Sequence, residues 1–308
     1  MSTGSGTKAV VAALSANLGI AVTKFVAYAL TGSSSMLAEG VHSVADSGNQ
    51  ALLLIGGRRS RRAASAVHQF GYGRVRYVYA FLVSIVLFSL GGCFALYEAW
   101  HKFSDPHPIE EWRWVPVAVL VLGLVMEGLS FRTAVREANH ARGSTGLTAF
   151  VRQSRAPELP VILLEDFGAL IGLVFALFGV GMTLATGDGR WDAIGSAAIG
   201  LLLVSIAVFL AIEMSSLLLG ESALPEHQAA IEAAIPGPGV LSVIHMRTLH
   251  LGPEELLVAA KVEVAPDADA RAVATAIDGA EARIRATVPL EVQIYLEADL
   301  RHRLAADD

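Results

Sequence analysis

His42 and Asp46 stand four residues apart, so on a helix they share one face about one turn apart. Glu39 precedes His42 by three residues and falls on the same side. An imidazole nitrogen and carboxylate oxygens at that spacing suit a borderline divalent ion such as zinc. Further along, Glu165 and Asp166 interrupt the apolar run Val161-Ile162-Leu163-Leu164-Glu165-Asp166-Phe167. Two adjacent carboxylates in such a run are costly to bury without a cation or a proton. Glu127 adds another carboxylate in a separate apolar stretch. The economical arrangement is one shared site, with His42 and Asp46 facing Asp166 and Glu165 and a further side chain or water completing four-coordination. Glu39 and Glu127 are the additional candidates. Blander roles compete with these. A lone buried histidine is commonly a hydrogen-bonded core residue, Glu127 can serve a polar helix–helix contact, and Asp192 can cap the helix it opens. Lys24 and Glu213 can be an internal pair or lie at span edges.

The elements that must hold these groups are membrane spans. The chain has 308 residues, of which 54% are hydrophobic and 17% charged, and its mean hydropathy is +0.53. Soluble domains carry about 25% charged residues, so this composition excludes an ordinary soluble enzyme. A net charge of −6 argues against a nucleic-acid partner. One cysteine, Cys93, excludes a disulfide scaffold and a cysteine-rich zinc module. A hydrocarbon core of about 30 Å takes roughly 20 apolar residues per helix. Six stretches qualify: 9–30, 34–57, 75–100, 114–131, 159–186 and 191–219. The second contains Glu39, His42 and Asp46 and must turn that face to protein rather than lipid.

Orientation follows from the basic loops. Residues 58–76 carry Arg58, Arg59, Arg61, Arg62, Arg74 and Arg76 and no acid, and the loop before the fifth span carries Arg132, Arg136, Arg142, Arg152 and Arg155. Lys and Arg mark the cytoplasmic side, so both termini are expected there, in a multi-pass protein of the cell (inner) membrane. Trp100, Trp112, Trp114 and Trp191 then fall at external span ends, where interfacial aromatics belong. Residues 1–8 carry one cation before a span-length apolar run, so no cleavable signal is expected.

After Gly220 the pattern changes. Pro225 opens a short helix over 226–235 that Pro236-Gly237-Pro238-Gly239 ends. Residues 240–249 form a candidate strand, and Leu256, Val258, Ala260, Val262 and Val264 alternate at strand period. Val273, Ile277, Ala280 and Ile284 recur at helical spacing, and Val292, Ile294 and Leu296 alternate again. The reading is a six-helix transmembrane transport domain over 1–220 and a small cytoplasmic αββαβ domain over 221–308, an open-faced, ferredoxin-like sheet with two helices on one side.

The string from Gly32 to Asp46, Gly-Ser-Ser-Ser-Met-Leu-Ala-Glu-Gly-Val-His-Ser-Val-Ala-Asp, resembles the second span of the cation diffusion facilitator family. So does His68-Gln-Phe-Gly-Tyr-Gly-Arg74, just before the third span. The resemblance covers nearly the whole chain, and Leu-Leu-Glu165-Asp166 looks like the zinc transporter nine-like subgroup. It implies a homodimeric divalent-metal carrier, usually for zinc, that exchanges metal for protons, with no cofactor and a dimerising tail. Ile162 stands where the family commonly has histidine. In some relatives a second site lies in the loop before the third span; here His68 is retained and Tyr72 stands where another histidine can occur. Ile-Tyr-Leu-Glu297 replaces the family's histidine-containing final strand, and His245 and His250 miss the expected ligand positions, so no metal cluster is expected in the tail.

On this reading a metal ion displaces protons from His42, Asp46 and Asp166, because metal binding needs deprotonated ligands. His42 is the natural titrating group, its unperturbed pKa being near neutrality. Gly40, Ala45, Ser47 and Gly48 let helices approach closely. Carriage of manganese, iron or cobalt keeps the same architecture, and a transport-inactive, membrane-anchored interaction protein is the alternative of another class. The sequence contains neither an HExxH motif nor a Walker GxxxxGK[ST] motif, so neither an intramembrane metalloenzyme nor an ATP-driven pump is expected.

Overall fold

The computed structural model describes residues 18–106, 109, 112–143 and 145–300. Residues 9–17 of the first expected span lie outside that set. The chain forms two compact units: one runs up to Arg58 and resumes over Arg76–Ser215, and the other joins Arg59–Val75 to the chain from Ser216 onward.

The first unit is helical. Helix α1 is described over Leu18–Thr31 and α2 over Ser34–Ser60. Helix α3 runs over Val75–Ser104, α4 over Trp114–Ala141, and the short α5 over Leu147–Gln153. Helices α6, Glu158–Thr186, and α7, Arg190–Leu219, complete it. Among the described residues, α3, α4, α6 and α7 are long and apolar enough to cross a membrane. Their ends follow from local chemistry. Gly32, at φ +63°, closes α1 with its N–H on the Tyr28 carbonyl, and Gly187, at φ +75°, does the same for α6 against Thr183. Helix α4 continues ten residues past the apolar stretch read from sequence, because Ala134 and Ala138 pack on Leu163 of α6 and on Phe150 of α5.

Helix α3 is not uniform. Leu87–Cys93 is a π-helical stretch, and it carries Gly91 and Gly92 against α7. A Cβ on Gly92 would lie 2.5 Å from Val204 Cγ2, and one on Gly200 of α7 would lie 2.7 Å from Leu96 Cγ. The backbones therefore touch where side chains would hold them apart.

The second unit holds the tail. Helix α8 spans Pro225–Ala234, with proline at its first position where no N–H is required. Arg283 closes its far end by donating to the carbonyls of Ala234 and Ile235. Strand β1, Val240–Gly252, pairs antiparallel with β2, Glu255–Val264, and β2 pairs parallel with β3, Glu291–Asp299. Helix α9, Ala270–Thr287, crosses between β2 and β3, and Asp269 caps it by accepting from the Ala272 N–H. Leu256, Val258, Ala260 and Val262 point to one face, where they meet Ile231, Ala276, Ala280 and Ile284. The expected alternation of β2 is what makes that core.

The loop 59–75 packs with this unit. A Cβ on Gly73 would lie 2.7 Å from the Leu251 carbonyl oxygen and 3.0 Å from Gly252 Cα, so the loop and the β1–β2 hairpin meet backbone to backbone. Burial, then the neighbouring Glu291 and Glu254 carboxylates, push the Glu255 carboxyl up beside this contact. A raised carboxyl favours the folded form at low pH and loses that contribution as pH rises through the raised value. Gly73→Val is expected to free the loop: limited proteolysis should cut within residues 59–75 at least about five-fold faster, since the side chain meets backbone that cannot rotate away.

Candidate metal centre

Helix α2 sets Ser43, Asp46, Asn49 and Gln50 on one side, at the three- and four-residue spacing of a helix face. Ser43, Asp46 and Gln50 line a small cavity with Ile20 of α1, Glu127 and Ser130 of α4, and Ile162, Glu165 and Asp166 of α6. Its volume is about 20 Å³, room for one water-sized or ion-sized occupant. Four carboxylates contributed by three helices thus border one cavity. The surrounding helices are drawn together by small residues: a Cβ on Gly168 would lie 2.7 Å from Ile206 Cδ1, and one on Gly172 would lie 2.9 Å from Glu39 Oε1.

His42 is buried beside this cavity and does not line it. Its Nε2 lies 3.5 Å from Asp46 Oδ2, and neither ring nitrogen makes a hydrogen bond. Asp46 Oδ1 is likewise without a hydrogen bond. The α6 pair is held in place by neighbours. Asn49 Nδ2 donates to Glu165 Oε1 at 2.6 Å, and Ser130 Oγ donates to Asp166 Oδ2 at 2.9 Å. Among the described residues no three His, Cys, Asp or Glu side chains are gathered as a ready-made metal cage. A cation seated here has to draw the flexible carboxylate arms inward, and Asp46 Oδ1 and the ring nitrogens of His42, which make no hydrogen bond, are available for that.

The other candidates lie apart. Glu39 is engaged by Lys24, whose Nζ donates to Glu39 Oε2 at 2.9 Å and to Ser43 Oγ at 2.8 Å. Both residues are buried, and Lys24 pairs with Glu39 rather than with Glu213. His68 belongs to the loop of the second unit, where its ring meets Tyr72 edge-on at 4.6 Å and its backbone N–H donates to Ser65 Oγ. Asp192 does not cap its own helix. Its carboxylate accepts from the Ser34 and Ser35 N–H groups and from the Ser33 and Ser34 hydroxyls, at 2.7–3.3 Å, and so caps α2 from across the bundle.

Sequence reasoning passed over Asn49 and Ser130. Each sits three residues after a flagged carboxylate, Asp46 and Glu127, on the same helix face, and that spacing was the available signal. Lys24 carried a signal too, since a lone cation in a span demands a partner. Asn49→Ala and Ser130→Ala are each expected to weaken divalent-ion binding by about 10-fold, the usual scale for residues that orient ligands. Calorimetric titration of the detergent-solubilised chain measures it.

Residues 10–219 match the family of the cation efflux transmembrane domain. The chain is 32% identical over 243 residues, 78% of its length, to the proton-coupled zinc antiporter SLC30A9, mitochondrial, of Xenopus laevis, and covers 43% of that relative. It is 32% identical over 209 residues, 66% of its length, to metal tolerance protein C4 of Arabidopsis thaliana, covering 45% of it. It is 27% identical over 256 residues, 82% of its length, to the cation-efflux pump FieF of Pectobacterium atrosepticum, covering 79% of it. The chain thus spans less than half the length of the first two. The match runs through every helix that borders the acidic cavity, and the chain belongs to the cation efflux family, the cation diffusion facilitators, a family of membrane carriers and not of enzymes.

Proposed function

We propose that this protein is a divalent-metal/proton antiporter, with zinc as the transported ion and export from the cytoplasm as the direction. The observation that carries this reading is the ion-sized cavity bordered by Asp46, Glu127, Glu165 and Asp166, with the imidazole of His42, free of hydrogen bonds, 3.5 Å from Asp46 beside it. Buried carboxylates in a membrane bundle are stable only with a proton or a cation, so the two occupants compete, and competition is what couples their fluxes. His42, Asp46 and Asp166 are the proposed ligands, with Glu165, oriented by Asn49, as the further one. The relatives' names, a proton-coupled zinc antiporter and a cation-efflux pump, support the same substrate class.

The wider reading has α1, α2, α3, α4, α6 and α7 as six membrane spans and the tail as a ferredoxin-like αββαβ domain through which two copies pair. It places both termini in the cytoplasm and the protein in the cell membrane. A carrier for manganese, iron or cobalt is the second reading, favoured by Ile162 bordering the cavity where a histidine would supply nitrogen; an oxygen-rich site suits harder ions.

Vesicles containing the full chain, with a pH dye inside and a panel of divalent ions outside, provide the test. An inward zinc gradient is expected to drive proton efflux, and Asp166→Asn to abolish it. Zinc entry with no proton movement would overturn antiport, and a response to manganese but not zinc would select the second reading.

A further inference from the structure

We propose that Lys24 and Glu39 form the gate that closes the carboxylate cavity toward the membrane face where α1 ends and α2 begins. The proposal rests on the reading of that cavity as the transport site. It starts from register. Lys24 is four residues past Ile20 toward the Thr31 end of α1, and Glu39 is four residues before Ser43 toward the Ser34 end of α2. Ile20 and Ser43 line the cavity. Gly172 lies six residues beyond Asp166 on α6, about 9 Å further along at 1.5 Å per residue, and a Cβ there would lie 2.9 Å from Glu39 Oε1. Gly123 lies four residues before Glu127 on α4, and a Cβ there would lie 3.9 Å from Lys24 Cε. Four helices therefore put the ion pair in one layer, its residues about one turn from those of the cavity and always in the same direction, with the Lys24 ammonium reaching back to Ser43 Oγ on the cavity wall at 2.8 Å.

That layer is shut. Side-chain exposure is 1% for Lys24 and 0% for Glu39, against 14% for Asp46. Beyond it the bundle tightens. Asp192 ties the first turn of α2 to α7. A Cβ on Gly195 would lie 2.9 Å from the Phe175 carbonyl oxygen and 3.2 Å from Ser35 Oγ. Lys102 donates to the Gly32 carbonyl at 3.0 Å. At the opposite end of the cavity Ile162 packs beside the apolar cluster of Ala134, Ala138 and Leu163, and among the described residues no ion pair holds Gln50 or Ile162.

An ion pair makes a selective plug. The ammonium repels a cation arriving at Asp46, and Glu39 holds the ammonium in place. Glu39 Oε1 is buried without a hydrogen bond, so the acid keeps one acceptor unspent. For an ion to leave past this layer Lys24 must swing off Glu39, and the freed carboxylate is then the next acceptor along the path. Lys24 is thus a resident cation that yields its place to the travelling one.

The test uses the full chain with Cys93→Ser, which removes the one cysteine, and Ile20→Cys, which puts a thiol at the cavity wall. A membrane-impermeant cationic methanethiosulfonate is applied to oriented vesicles from each side. The expected result is labelling at least 10-fold faster from the side of Ser60 than from the side of Thr31. The pair of substitutions Lys24→Met and Glu39→Gln, which leaves no unpaired charge, is expected to raise the Thr31-side rate at least 10-fold. The exchanged pair, Lys24→Glu with Glu39→Lys, is expected to restore the slow rate. Equal rates from both sides in the parent, or no acceleration in the neutral pair, overturns the gate. Should the neutral pair not fold, Glu39→Asp, which keeps the charge but shortens the reach, must accelerate Thr31-side labelling or the gate is overturned. Zinc-driven proton flux is read on the same vesicles: sided labelling without flux retains the gate and removes the antiport reading, and flux without sidedness does the reverse.

Discussion

Asp46→Asn is expected to lower divalent-ion affinity by about 100-fold and to abolish ion-coupled proton flux. Asp46 has one carboxylate oxygen 3.5 Å from the His42 ring and the other without a hydrogen bond, and it borders the cavity. Asparagine keeps the shape and one carbonyl oxygen but removes the charge. Loss of a charge-assisted interaction at a buried site costs on the order of 3 kcal/mol, about two decades in affinity. The fold should not suffer, because Glu127, Glu165 and Asp166 lose a like-charged neighbour. Calorimetry in detergent and vesicle flux check the two halves separately. Unchanged affinity would remove Asp46 from the site, and an unfolded variant would show that its charge serves the bundle.

Asp192→Ala should produce the largest loss of stability of any single polar substitution in the helical unit. The carboxylate is fully buried and accepts from two backbone N–H groups in the first turn of α2 and from two serine hydroxyls. The Ser33 and Ser34 hydroxyls can rotate to other acceptors, but the two amides are fixed by the backbone and have no other acceptor in this buried layer. Leaving them orphaned costs about 2–4 kcal/mol, a large part of a stability of about 5–15 kcal/mol. A fall in the thermal midpoint in detergent is the expected readout. Asp192→Asn, which retains an acceptor oxygen, should fall by less than half as much. A midpoint equal to the parent's would mean that water, not Asp192, satisfies the start of α2.

These two aspartates show where sequence reading works and where it stops. Asp46 was legible because its partner His42 lies on the same helix, four residues away, and a helix face can be counted. The tail was legible for the same reason: the alternation in β2 and the helical spacing in α9 are local. Asp192 was visible as an acid at a helix start, but its real clients lie some 160 residues earlier in the chain, on a helix that only tertiary packing brings alongside. Lys24 was seen with Glu213 as its possible partner, and the structure pairs it with Glu39 instead, a contact between two helices that no spacing along one helix reveals. Helix α5 went unread: seven residues opened by Gly146 with no side-chain cap offer no signal, and they exist because Phe150 and Val151 pack on α4 and α6. The tight contact of Gly73 with Leu251 and Gly252 was equally invisible, since it is made by backbone.

The widened stretch in α3 also settles a question of phase. Leu87, Gly91, Ala95 and Ala99 are all buried, and they recur every four residues. At 3.6 residues per turn such a series drifts about 40° with each repeat and would wind about 120° around the axis over its length. The looser winding of Leu87–Cys93 takes up part of that drift, so the four buried residues stay nearer one line, with Gly91 against Leu203 of α7. The lone thiol of Cys93 and the ring of Tyr97 are thereby turned outward, to the exposed side of the helix.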